Sequence, residues 1–161
     1  MKITWARDAS TLQYDDTSIR VVCHVRNELN GERLLSEKPV YSENEDGGDG
    51  VPYMPRPFPL GTWNVEAIIP KDNPYEAPEF ISTDAHQTVD EWTIGLDLNG
   101  NAHYIAKSSR TVEDYGYGLH NSTSSTTLGC GHIIEAADRE ALVTAIRAAW
   151  SQNDPVTLEV V

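Results

Sequence analysis

At 161 residues the chain has length for one hydrophobic core. Its 25 acidic side chains against 12 basic ones give a formal net charge of −13, which repels phosphate backbones and argues against nucleic acid as the main partner. Nothing approaches the roughly 20 consecutive apolar residues of a membrane span, so membrane insertion is not expected.

Alternating and β-branched runs dominate the first two thirds and predict strands at Lys2–Trp5, Thr11–Tyr14, Ile19–Arg26, Thr62–Ile69, Trp92–Leu98 and Ala102–Ala106. Turn signals separate them at Asp15-Asp16-Thr17, Asn30-Gly31 and Asn99-Gly100, the last joining EWTIGLDL to NAHYIAK as an antiparallel pair. Ser42–Gly50 is acidic and glycine-rich and reads as a mobile surface loop without calcium-loop spacing. Pro70–Asp90 carries Pro70, Pro74 and Pro78 and reads as an irregular excursion. One helix is expected, capped by Asp138, with Leu142, Ala145, Ile146, Ala149 and Trp150 on one apolar stripe. Asn153-Asp154-Pro155 stops it, and VTLEVV reads as a final strand. The predicted architecture is one mainly β domain over 1–161, a sandwich or half-open barrel with a single late helix.

The two cysteines, Cys23 and Cys130, are too few for a disulfide framework and read as thiols. Cys23 lies mid-strand and reads as core. Cys130 is flanked by Gly129 and Gly131, and small neighbours let a carbonyl approach the sulfur and leave backbone N–H groups to hold an oxyanion. A thiol attacks as thiolate and needs a base. His120 stands ten residues earlier, after Gly116 and Gly118, and a Ser/Thr-rich loop between them lets imidazole and sulfur meet. Such a pair taken alone is more often structural than catalytic. A zinc reading of His120, Cys130 and His132 lacks the usual ligand spacing, so no metal is expected. Trp63 and Trp92 alternate with apolar neighbours and read as core, whereas Tyr115 and Tyr117 flank Gly116 and are candidates to line a groove.

Four segments in order resemble the L,D-transpeptidase (YkuD-like) family: Pro59-Leu60-Gly61-Thr62-Trp63-Asn64-Val65, Gly118-Leu119-His120-Asn121, Thr127-Leu128-Gly129-Cys130 and, after a helix, Asn153-Asp154-Pro155-Val156-Thr157-Leu158. The short interval from His120 to Cys130 is similar to compact forms delivered as type VI effectors. The resemblance implies Cys130 as nucleophile, His120 as base, Asn121 as third member, Gly129 and Cys130 as oxyanion donors, and Tyr115, Tyr117 and Thr127 as substrate contacts. It implies attack on the bond after the third residue of a peptidoglycan tetrapeptide stem, release of the terminal D-alanine, and transfer of the acyl group to water or an amine, without a cofactor. Leu128 stands where the family usually has histidine, and Gly131-His132 where a cation usually follows; Lys107 or Arg110 is the candidate replacement.

MKITWARDAS lacks the apolar core and cleavage site of a signal peptide. Action in the periplasm or cell wall is therefore expected to need dedicated secretion, lysis or a separate leader. That setting fits an antibacterial effector, with an immunity protein or secretion machinery as partner, or a phage lytic factor. The rival reading is an inert binding or virion-structural module of the same fold.

Overall fold

The computed structural model describes residues 1–25, 38–74, 76–121 and 127–161. In chain order these form β1 (Lys2–Ala6), β2 (Thr11–Tyr14), β3 (Thr17–Val22), β4 (Val40–Glu43), β5 (Asp49–Tyr53), β6 (Gly61–Pro70), β7 (Glu79–Thr83), β8 (Gln87–Leu96), β9 (Ala102–Asp114), β10 (Gly118–His120), β11 (Gly131–Ile133), α1 (Ala136–Ser151) and β12 (Thr157–Val160). The mainly β expectation is met, but the half-open barrel is corrected. Eight strands close a barrel in the order β1-β12-β6-β7-β10-β11-β3-β2, and β4-β5-β8-β9 make a separate four-stranded sheet.

Period-2 patterning drives the barrel. In β1, Ile3 and Trp5 are buried while Lys2 is exposed, and in β12 Leu158 and Val160 are buried between Thr157 and Glu159. β1 pairs in parallel with β12 from Lys2↔Thr157 to Trp5↔Val160, which closes the seam. Trp5 fills the interior, donating its indole N–H to the Val21 carbonyl at 3.0 Å and meeting Phe58 edge-on with centroids 5.4 Å apart. Phe58 in turn packs edge-on against Tyr117 at 5.5 Å. This chain of rings runs from the seam to the segment before β10.

Several expected boundaries move. The residues after Ile19 form β3 only to Val22, with a further isolated bridge from Val25 to Thr127; Arg26 and the Asn30-Gly31 turn lie outside the described residues. Ser42–Gly50 is not a mobile loop. Its ends belong to β4 and β5, and the turn between them is held by Asn44 N–H to Gly48 O at 2.8 Å and by Gly48 N–H to Asp46 Oδ1 at 2.9 Å. The Pro70–Asp90 excursion contains β7 and the start of β8. Pro70 ends one strand and Pro78 precedes the next, positions where a missing N–H removes no ladder bond. The Asn99-Gly100 turn does join β8 to β9, with Asp97 Oδ1 accepting the N–H groups of Asn99 and Asn101 at 2.9 Å.

Helix α1 starts at Ala136 with Glu135 as its N-cap, so Asp138 sits inside the first turn rather than capping it. Ala136 and Ala137 are strong helix formers, and the helix begins three residues earlier than expected. Asp138 still opposes the positive end of the dipole. Leu142, Val143 and Ile146 join the barrel core, and Asn153 at φ 58 ends the helix. Trp63 packs against this core but is only partly buried, and Trp92 is likewise half-buried, edge-on to Tyr104 at 5.8 Å. The helix is not long and apolar enough to cross a membrane.

Candidate functional site

His120 ends β10, and Cys130 immediately precedes β11. β10 and β11 run parallel, with Leu119 opposite Gly131 and His120 opposite His132. Side chains alternate along a strand, so Leu119 and Ile133 enter the core, both fully buried, while His120 and His132 share the other face. Their rings stack at 6.5 Å between centroids with 13° between planes. Phe80 on β7, the antiparallel partner of His120, continues the row at 5.8 Å, and Lys71 Nζ lies 5.7 Å from the Phe80 centroid. Cys130 immediately precedes β11, two residues before His132. His120 is 6% exposed.

The expected hydrogen bond between imidazole and sulfur is not the one the thiol makes. Cys130 Sγ donates to the Gly116 carbonyl at 3.7 Å. Burial pushes the thiol up to about 12; the backbone of Gly118 opposes this, while Cys23, Glu76 and Glu43 add to it. The residue keeps some surface, and burial disfavours the ionised form of its thiol. Cys23, expected in the core, packs against it, donating to the Gly129 carbonyl at 3.3 Å and accepting Phe58 N–H at 3.5 Å.

Three other expected site residues have structural tasks. Thr127 is buried, and its hydroxyl donates to the Cys130 carbonyl at 2.8 Å and accepts Gly129 N–H at 3.2 Å. It braces the turn that carries Cys130. The same bond occupies the Gly129 N–H assigned to an oxyanion, leaving the Cys130 N–H as the candidate donor. Asn121 donates its amide to the carbonyls of Ile133 at 2.7 Å and Ile134 at 3.2 Å, so its side chain ties down the end of β11. The Ser/Thr-rich residues 122–126 lie outside the described residues. Gly129 has φ +115, and a Cβ there would run into the Arg56 carbonyl and the Tyr117 ring. Gly129→Ala is expected to lose about 2–3 kcal/mol from backbone strain and displacement of the ring, read as the urea midpoint. An unchanged midpoint would show that the turn relaxes freely.

Tyr117 is corrected more sharply: it is 2% exposed and belongs to the core. Its phenol donates to Asp114 Oδ2 at 2.6 Å and accepts from Gln87 Nε2 at 2.8 Å. Gln87 also reaches the Pro57 carbonyl at 2.7 Å. Thr83 Oγ1 donates to the Tyr117 carbonyl at 2.7 Å. Asp114, itself 2% exposed, accepts Glu43 N–H through Oδ1 at 2.8 Å, and burial raises its carboxyl pKa against those two bonds. Nothing local in the sequence marks this network, since its members lie on four separate segments.

Tyr115 does line a cleft. Its ring stacks on His86 at 5.1 Å, His86 meets Trp63 edge-on at 5.6 Å, and His86 Nδ1 is 2.8 Å from Glu113 Oε2. The cleft, about 580 Å³, is walled by Glu43, Glu45, Asp46, Glu66 and Asp84 and reaches Gly116, whose carbonyl holds the thiol. The Glu43 carboxylate lies against Gly116, at φ +83. Burial first and then Asp114 raise the Glu43 pKa. Lys107 and Arg110, the candidate replacement cations, lie on β9 and pair with Asp90 at 3.5 Å and Glu91 at 3.4 Å. Among the described residues no group of three or more His, Cys, Asp or Glu is arranged to hold a metal ion.

Comparison with protein-family models, curated proteins and solved structures returned no match.

Proposed function

We propose that the chain is a cysteine-nucleophile acyltransferase or peptidase of the L,D-transpeptidase kind, acting on peptidoglycan tetrapeptide stems. The observation that carries this reading is the parallel register of β10 and β11, with His120 opposite His132. It brings the strand that ends in His120 beside the strand that Cys130 immediately precedes, and the reading takes the thiol to rotate towards the imidazole when substrate binds. The four ordered motifs from Pro59 to Leu158 support the substrate class.

In this mechanism the Cys130 thiol turns from the Gly116 carbonyl towards His120, and its proton passes to the imidazole as sulfur attacks the carbonyl after the third stem residue. Catalytic hydrogen bonds often tighten only with substrate present. The Cys130 N–H faces the developing oxyanion. The C–N bond breaks, D-alanine leaves with the proton from His120, and the thioester passes to water or to an amine. Tyr115, on the cleft that reaches Gly116, is the substrate contact. Secretion as an antibacterial effector, checked by an immunity protein, or release as a phage lytic factor would bring it to the cell wall.

The test is incubation with purified tetrapeptide muropeptides and mass spectrometry of the products. The expected result is loss of one D-alanine, or its exchange in the presence of an added D-amino acid, with neither in Cys130→Ala. Intact tetrapeptide with correctly folded wild type would overturn the substrate assignment. One observation favours a second reading, an inert module: the thiol is neutral and bonded to a carbonyl. Iodoacetamide separates the two, because stem peptide protects a Cys130 that it acylates and leaves the alkylation rate of an inert Cys130 unchanged.

A further inference from the structure

We propose that Asp114 and Tyr117 are positioning residues for Cys130, a buried latch that fixes the sulfur's partners on both sides. The inference rests on the reading of Cys130 as nucleophile.

Tyr117 lies between Gly116, whose carbonyl accepts the thiol's hydrogen bond at 3.7 Å, and Gly118, whose backbone favours the ionised sulfur. Wherever the Tyr117 backbone sits, those two groups follow. That backbone is anchored at its carbonyl by Thr83, through Oγ1 at 2.7 Å and N–H at 3.2 Å. Its side chain is anchored at the phenol by Asp114 and Gln87. The ring also presses on Gly129, the residue before Cys130, where a Cβ would come 2.7 Å from Tyr117 Cε1. One side chain therefore sets the thiol's hydrogen-bond partners and the turn that delivers the thiol.

A packing role alone would not need this chemistry. Burying the Asp114 carboxylate is unfavourable, and an apolar pair of similar volume would hold the ring at least as cheaply in free energy. A polar network whose members are all satisfied fixes one geometry, where apolar contacts allow sliding. It sits beside the nucleophile turn, and Asp114 also accepts the N–H of Glu43, whose side chain packs on Gly116. The latch thereby joins the acidic cleft to the sulfur.

The experiment compares wild type, Tyr117→Phe, Asp114→Asn and a core control, Leu158→Ala, on β12 three strands from β10 in the barrel order. Two rates are read well below each melting temperature. One is alkylation of Cys130 by iodoacetamide at pH 8, followed on the Cys130 peptide so that Cys23 does not contribute; the other is D-alanine release from tetrapeptide. Tyr117→Phe keeps the ring on Gly129 but unties it. Loosened strands admit water to the sulfur, so alkylation is expected to rise at least about tenfold, the change in thiolate that one pKa unit brings. D-alanine release should fall at least about tenfold as attack geometry is lost. Asp114→Asn retains one acceptor and should move both rates in the same directions by less. Leu158→Ala should lower the melting temperature and leave both rates within about twofold.

Alkylation within twofold of wild type in both latch variants would overturn the proposal, as would equal changes in Leu158→Ala. If wild type releases no D-alanine but the latch variants still accelerate alkylation, the positioning role stands and the peptidoglycan reading falls.

Discussion

His120→Ala slows release of D-alanine from tetrapeptide stems by about 10²–10⁴-fold, the usual contribution of a positioned general base. The large value follows from the state of the nucleophile. With the thiol pushed up to about 12, fewer than about one Cys130 in ten thousand would ionise unaided at pH 7.5. A base that takes the proton during attack therefore governs the rate. His132 stacks on His120 and is the obvious competitor for the role, but it lies directly across from His120 on β11, two residues past Cys130 along the same segment. His132→Ala should cost less than about tenfold. Both variants remove an imidazole from the Phe80–His120–His132 row, so folding must be checked by circular dichroism before rates are compared. Steady-state kcat decides the matter: equal losses in the two variants, or none in His120→Ala, would remove His120 as base.

Raising the pH from 8 to 11 weakens the fold by about 4–6 kcal/mol, measured as the loss of unfolding free energy in urea. Three buried acids share the cause. Cys130, Tyr53 and Tyr117 all have pKa values raised by burial, the two phenols further by Asp114. Below their ordinary values both folded and unfolded chains keep these protons, and the contribution is complete. Above about 9 for the thiol and 10 for the phenols, the unfolded chain loses protons that the native one retains. Stability then falls by up to about 1.4 kcal/mol per pH unit for each group. For the thiol the decline ends near its folded value of about 12. Cys130→Ala should flatten the first part of the decline, between about pH 9 and 10, and leave the steeper part above it. A stability profile level to pH 11 would show that these groups are not enclosed as described.

The strands whose side chains alternate, β1, β2, β6 and β12, were legible because burial on one face imprints a period of two. The turn at Asn99-Gly100 was legible because its chemistry is local. β7 was hidden: Phe80 and Ile81 are buried in succession, so no alternation shows, and Pro78 next to them reads as a break. β4 and β5 were hidden by acidic residues that belong to the turn between them. At the site, the glycines, His120 and Cys130 stood out as residue types. What Thr127, Asn121 and Tyr117 do could not be read, because each is assigned by hydrogen bonds rather than by its neighbours in sequence. Tyr117 and Tyr115 look equivalent around Gly116 and would share a face if the strand ran on; instead the backbone turns at Gly116, φ +83, between β9 and β10, and one ring lies inward at Asp114 while the other lies beside His86.

The parallel contact between Lys2–Trp5 and Thr157–Val160 has a kinetic corollary. Loop entropy for that closure is charged against nearly the entire polypeptide, so the seam should form last and the preceding antiparallel hairpins first. Until that seam closes, Ile3 and Trp5 lack their β12 neighbours, an interval in which a holding chaperone would protect the folding molecule from sticking to others.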